Sequence, residues 1–249
     1  MSPVLRVAGL SKHFGGVRAL DDVAFELAAG ELLAMIGPNG AGKSTCFNLV
    51  NGQLAPDAGR IVVLGRDIAG LGPRQIWRLG VGRTFQITAT FGSMTVAENV
   101  QLALISHRRG LWSPWTPAAG LERERALELL ALVGMAEQAE RACAVLAYGD
   151  LKRVELAVAL ANDPRLLLMD EPTAGMAPAE RQALMALAAR IARERGIGVL
   201  FTEHDMDVVF GHADRIMVLS RGRLIAAGAP AAVRTDPQVR EIYLGADHA

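Results

Sequence analysis

Gly37-Pro38-Asn39-Gly40-Ala41-Gly42-Lys43-Ser44-Thr45 follows an apolar run, Leu32-Leu33-Ala34-Met35-Ile36, and leads into a helix-compatible one, Cys46-Phe47-Asn48-Leu49-Val50. Strand, glycine-rich loop and helix in that order is the context a phosphate-binding loop requires. Glycines let the backbone curl so that successive N–H groups point inward at phosphate oxygens. The helix N-terminus adds partial positive charge. Lys43 reaches the β- and γ-phosphates, and the Ser44 hydroxyl ligates Mg²⁺. The stretch implies nucleoside triphosphate binding.

The 249 residues suffice for one large α/β domain, or for a core with a sizeable insert. Lys plus Arg and Asp plus Glu balance at 26 each, so no global basic field points to nucleic acid. Apolar residues make up 51%, enough to expect surface reserved for partners. No apolar run reaches the length of a membrane span, since Glu155, Arg190 and Arg193 interrupt the best ones. The start, Met1-Ser2-Pro3-Val4-Leu5-Arg6, lacks the layout of a secretion signal. Cys46 and Cys143 lack metal-ligand spacing and read as cytosolic thiols.

Outward from the loop, strands are expected at Val4–Leu10, Val23–Leu27, Leu32–Ile36 and Arg60–Leu64, with a turn-rich link over Asn51–Gly59. From about Thr95 to Ala161 the pattern turns helical. Leu121–Val133, for example, places Ala126, Leu127, Leu130 and Val133 on one face. Strand signals return at Arg165–Met169, Gly198–Thr202 and Arg215–Leu219. This alternation implies a largely parallel sheet with the helical segment, about 90–160, inserted into a core made of 1–89 and 161–249. Within the insert, His107 to Pro117 carries Trp112 and Trp115. That loop either contacts headgroups or a partner, or folds its tryptophans back onto the helices.

Leu166-Leu167-Leu168-Met169-Asp170-Glu171 is an apolar strand ending in two carboxylates. In a parallel sheet both would emerge beside the phosphate loop. Asp170 would hold Mg²⁺ and Glu171 would orient or deprotonate an attacking water. Gln86 is placed to touch Mg²⁺ or that water, although composition alone favours solvent exposure for a lone glutamine. His204, after the apolar run Leu200-Phe201-Thr202, could bond a γ-phosphate or serve structure alone. Leu146-Ala147-Tyr148-Gly149-Asp150 precedes an apolar helix expected at Leu151–Ala161. Gly149 permits close approach of an anion, and Asp150 offers a competing N-cap.

Together these pieces resemble the ATP-binding subunits of ABC transporters over essentially the whole chain. The motifs lie in order: Phe14 for the aromatic on adenine, Gly37 to Thr45 for Walker A, and Gln86 for the Q-loop. Leu146 to Asp150 corresponds to the signature, Leu166 to Glu171 to Walker B, Ala174 to Ala177 to the D-loop, and His204 to the switch histidine. The resemblance implies an α/β P-loop core with a parallel sheet, an N-terminal antiparallel β subdomain and an inserted α-helical subdomain. It also implies ATP and Mg²⁺ as cofactors, with Lys43, Gln86, Glu171 and His204 catalytic and Ser44, Gln86 and Asp170 on the metal. Phe14, Gly37, Pro38, Asn39, Gly40, Ala41, Gly42, Lys43, Ser44 and Thr45 would bind nucleotide. Ala147, Tyr148 and Gly149 would bind it in trans, across a head-to-tail dimer.

Arg83-Thr84-Phe85-Gln86-Ile87-Thr88, Met94 to Val100, Leu146 to Gly149, Glu203-His204-Asp205-Met206 and Tyr243-Leu244-Gly245 resemble ATPases of branched-chain and other hydrophobic amino-acid importers. Urea and amide importers and lipid or lipopolysaccharide exporters look similar. A non-transport ABC ATPase acting on nucleic acid or the ribosome is the alternative of another class. The implied partners are a second ATPase, two membrane permeases and an extracytoplasmic solute-binding protein, with no nucleic acid. The implied location is the cytoplasmic side of the membrane. Three positions depart from the family pattern: Ala147 and Asp150 in the signature, and Ala177 in the D-loop.

Overall fold

The structure, a computed structural model, describes residues 3–84, 90–107 and 122–244. The phosphate loop follows a strand, β3 (Leu32–Ile36), every residue of which is buried. Successive side chains of a strand point to opposite faces. Leu32, Ala34 and Ile36 accordingly enter one apolar cluster, and Leu33 and Met35 enter another. Apolar layers on both faces are what a buried parallel strand needs, so a continuous apolar run forms it without alternation.

The chain opens with β1 (Leu5–Phe14) and β2 (Val17–Leu27), then β3, α1 (Lys43–Val50), β4 (Ala58–Val63), β5 (Arg66–Asp67), α2 (Pro73–Arg78) and β6 (Val81–Thr84). Three helices follow: α3 (Val96–His107), α4 (Arg123–Leu132) and α5 (Tyr148–Ala159). Then come β7 (Leu166–Asp170), α6 (Pro178–Arg195), β8 (Gly198–Thr202), α7 (Met206–His212), β9 (Arg215–Ser220), β10 (Arg223–Gly228), α8 (Pro230–Thr235) and α9 (Pro237–Leu244). A six-stranded sheet runs in the order β10-β9-β3-β8-β7-β6 and a four-stranded sheet in the order β2-β1-β4-β5. Pairing is parallel from β9 through β3, β8 and β7 to β6. β10 alone pairs antiparallel within that sheet, and the smaller sheet is antiparallel throughout.

Leu32–Ile36 and Gly198–Thr202 form strands with the expected bounds. β1 and β2 are longer than their patterns implied because they pair as a hairpin through register shifts, and these break the alternation that would have marked them. β5, β6 and β10 carried no legible strand signal. In the insert, Ala126, Leu130 and Val133 are buried and Leu127 packs against the same cluster as expected. The helix after the Gly149 segment begins at Tyr148, not Leu151, and ends at Ala159. Ala147 is its N-cap, which corrects the reading of Asp150 as cap. Asp150 lies within the first turn, where its charge favours the helix N-terminus without capping it. Among the described residues no helix is long and apolar enough to cross a membrane.

Candidate functional site

Strand order assembles the site. β3, β8 and β7 are consecutive parallel neighbours, with Met35 opposite Thr202 and Thr202 opposite Asp170. Their C-terminal ends therefore deliver the phosphate loop, Thr202 to His204, and Asp170 with Glu171 to one edge of the sheet. Ligands of open α/β sheets gather there.

The loop closes through Gly42, the N-cap of α1, at φ 107°. A β-carbon there would stand 2.4 Å from the Ala19 carbonyl oxygen, and one at Gly37 would stand 2.2 Å from that of Leu219. Only glycine fits either position. Lys43, Ser44 and Thr45 form the first turn of α1, whose leading N–H groups have no intrahelical acceptor. Lys43 is buried, and its Nζ donates to the carbonyls of Gly37 at 2.5 Å and Pro38 at 3.2 Å. Burial pulls its pKa below the ordinary lysine value, against the opposing pull of Glu171 and Asp170. The ammonium thus lies over the glycine loop itself.

Asp170 ends β7. Its Oδ1 accepts from Thr202 Oγ1 at 2.7 Å, and its Oδ2 faces the Arg83 guanidinium at 3.7 Å, beyond hydrogen-bond distance. Glu171 adopts φ 49°, a left-handed backbone that a residue with a side chain holds only under constraint. Its N–H donates to Thr202 O at 3.2 Å and to Thr202 Oγ1 at 3.1 Å. The Glu171 Oε1 then lies 2.8 Å from His204 Nε2. Carboxylate oxygens accept, so Nε2 carries the hydrogen of that contact.

The sequence reading missed three partners of this centre. Thr202 links Asp170 to Glu171. Glu203 accepts from Thr173 and from the His204 backbone. Arg83 donates to Asn48 on α1 and to Gln53 while facing Asp170. The threonine and glutamate were visible as polar residues flanking His204, but nothing local tied them to Asp170 or Thr173.

Phe14 ends β1 with its ring 47% exposed and Lys12 Nζ at 5.7 Å from the ring centroid. The residues expected to bind nucleotide in trans, and Ala177, lie elsewhere on the chain's surface. Ala147, Tyr148 and Gly149 start α5. The Tyr148 ring, half exposed, packs at Gly175, and a β-carbon at Gly149 would meet Glu180 Oε1 at 3.3 Å. Ala177 is exposed at the N-cap of α6, where Glu180 Oε2 accepts from its N–H at 3.3 Å. Gln86 and the Trp112 and Trp115 loop lie outside the described residues.

The chain that builds this edge matches known proteins over nearly its whole length. The ABC transporter profile matches residues 20–174, and that of the branched-chain amino acid ATP-binding cassette transporter matches 223–249. The chain belongs to the ABC transporter family. It is an ATPase of the cassette type, and the cassette fold of its sheets and helices is the family's. The high-affinity branched-chain amino acid transport ATP-binding protein LivG of Salmonella typhimurium is 40% identical to it, over 98% of each chain. The ADP conformation of MJ1267, an ATP-binding cassette of an ABC transporter, superposes with TM-score 0.87 and 32% identity, covering 98% of this cassette and 100% of that one. The dimeric post-hydrolysis state of MJ0796, bound to ADP and phosphate, has TM-score 0.76 and 27% identity over 91% of this cassette and 98% of that chain.

Proposed function

We propose that this cassette hydrolyses ATP to energise uptake of branched-chain or other hydrophobic amino acids across the cytoplasmic membrane, working from its cytoplasmic side. The observation that carries the substrate class is the match of residues 223–249 to the branched-chain profile, alongside end-to-end likeness to LivG. The ATPase core alone would not distinguish one transported solute from another.

Phosphates of ATP take the place of the Gly37 and Pro38 carbonyls as acceptors for Lys43, and the first-turn amides of α1 add donors. Phe14 stacks on adenine. Ser44 and Asp170 offer hard oxygen donors, and Asp170 Oδ2 has no hydrogen bond within its 3.7 Å contact to Arg83. That donor set fits Mg²⁺, which takes one or two protein oxygens and completes its shell with phosphate oxygens and water. Gln86 is assigned as a further donor. Bound there, the ion supplies charge neutralisation of the β- and γ-phosphates. Glu171 accepts the proton of the attacking water as its oxygen bonds to the γ-phosphorus and the bond to the bridging oxygen breaks. His204, donating from Nε2 at 2.8 Å, orients that carboxylate.

Two cassettes face head to tail, each nucleotide lying between the Gly37 to Thr45 loop of one and the Ala147 to Gly149 turn of the other. That MJ0796 is dimeric with ADP and phosphate bound supports the pairing of two cassettes. Ala147 and Ala177 each forgo a polar contact worth on the order of 1 kcal/mol, which modulates closure without abolishing it. The helices α3, α4 and α5 belong to the helical arm that reports nucleotide state to two permeases. A cleft of about 360 Å³ between that arm and the core, lined by Trp77, Arg74, Arg83, Ala103, Ser106 and Val158, suits a short permease helix. A solute-binding protein delivers the substrate outside.

Co-purification from membranes tests this reading. Permease subunits should accompany the cassette, and leucine, isoleucine or valine presented with a binding protein should raise ATPase activity. Recovery as a free protein bound to nucleic acid, or stimulation by urea alone, would overturn it.

A further inference from the structure

We propose that Glu203 is a positioning residue for hydrolysis, holding Glu171 and His204 together by fixing the backbone beside each. The inference rests on the assignment of Glu171 as the base.

Glu203 is only 4% exposed. A buried carboxylate is costly unless several donors hold it. All three of the hydrogen bonds resolved at Glu203 come from the two loops that carry the reacting pair. Its Oε1 accepts from Thr173 N at 2.9 Å and from Thr173 Oγ1 at 2.6 Å, and its Oε2 accepts from His204 N at 3.2 Å. Thr173 lies two residues beyond Glu171, with Pro172 between them.

The strained backbone of Glu171, at φ 49°, is thereby pinned from both sides. Thr202 O and Oγ1 hold its N–H, and Glu203 holds the turn that leaves it. One carboxylate thus spans the turn after β7 and the turn after β8, and the 2.8 Å contact of Glu171 with His204 closes the same ring. Removing Glu203 lets the 171–173 turn relax toward ordinary backbone angles and draws Glu171 away from His204. The phosphate loop hangs from a different strand, β3, so nucleotide affinity should be largely spared.

The test compares Glu203→Ala, Glu203→Gln and Thr173→Val in the full chain, each alone and combined with Glu171→Gln. Single-turnover ATP hydrolysis and nucleotide affinity, from a fluorescent ATP analogue, are both read. A displacement of about 1 Å at a catalytic group costs up to about a hundredfold in rate. Glu203→Ala should therefore slow hydrolysis by about ten- to a hundredfold, with affinity within about twofold of wild type. Glu203→Gln should recover part of the rate, because its amide oxygen keeps both Thr173 bonds while its N–H₂ opposes the His204 N–H. Adding Glu203→Ala to Glu171→Gln should cost nothing further, since the two act as one unit.

Full turnover in Glu203→Ala, additive losses in the double variant, or a fall in affinity matching the fall in rate would overturn the proposal. Should Glu203→Ala fail to fold, the milder pair decides: wild-type turnover in both Glu203→Gln and Thr173→Val refutes the positioning role. If Glu171→Gln itself retains turnover, the base assignment falls, and this inference with it. If Glu171→Gln is slow and the Glu203 variants are not, only the inference falls.

Discussion

Thr202→Val removes one hydroxyl from the centre of the site and little else. The side chain is 1% exposed, valine has nearly its shape, and the backbone carbonyl of residue 202 still accepts from Glu171 N. Two bonds are lost. Thr202 Oγ1 no longer donates to Asp170 Oδ1, a 2.7 Å bond to a charged group, and no longer accepts from Glu171 N at 3.1 Å. Hydrogen bonds to charged groups contribute about 1.5–3 kcal/mol and neutral ones about 1. The second loss is largely covered by the remaining carbonyl. The net cost is therefore about 2 kcal/mol, a factor of roughly 30 in an equilibrium constant.

That cost should divide between fold and function. Urea unfolding of the nucleotide-free chain reads the first part as a lowered midpoint at constant slope. The concentration of Mg²⁺ giving half-maximal ATPase activity reads the second, because Asp170 is left to rotate. Thr202→Ser, which restores the hydroxyl, should return both toward wild type. A Thr202→Val chain identical to wild type in midpoint and in Mg²⁺ dependence would refute the claim that this hydroxyl orients Asp170.

Other consequences follow from single groups. Gly42→Ala places a β-carbon 2.4 Å from the Ala19 oxygen at φ 107°, so nucleotide affinity should fall by tenfold or more in an ATP titration. Cys46 is fully buried and its thiol is pushed up to about 12 by burial, so maleimide should label it only at the rate of global unfolding, measured by mass spectrometry over time. The Lys12 ammonium beside Asp57 holds that carboxyl down to about 2, against an ordinary 3.8. With the folded value depressed, its contribution to stability is present above pH 3.8 and lost as pH falls toward 2. NMR titration should place the Asp57 midpoint near 2, and Lys12→Met should raise it.

The fold class was legible because its decisive segments are local. Leu32–Ile36 and Gly198–Thr202 are apolar runs of strand length, and the glycine loop joins the first to a helix. β6 was not legible: Val81-Gly82-Arg83-Thr84 holds one apolar residue and no period, and becomes a strand only by pairing with β7. β10 likewise takes its form from the antiparallel partner β9. Asp170, Glu171 and His204 stood out at or just past strand ends, and Lys43 at the start of the helix after the glycine loop. Lys43 interacts with both carboxylates, and Glu171 meets His204. Thr202, Glu203 and Arg83 did not stand out, because their partners depend on the order β3-β8-β7-β6, which no local pattern encodes. Asp150 misled for a related reason. Its residue type favours an N-cap, yet the helix already starts at Tyr148, whose ring packs at Gly175, with Ala147 at the cap.

The most direct test of the account is single-turnover hydrolysis by Glu171→Gln, with nucleotide affinity measured on the same sample. A positioned general base contributes about a hundredfold or more. Hydrolysis should slow by at least that factor while ATP affinity stays at the wild-type value. Turnover near wild type, or an equal loss of affinity and rate, would contradict the reading of this strand-end carboxylate as the base.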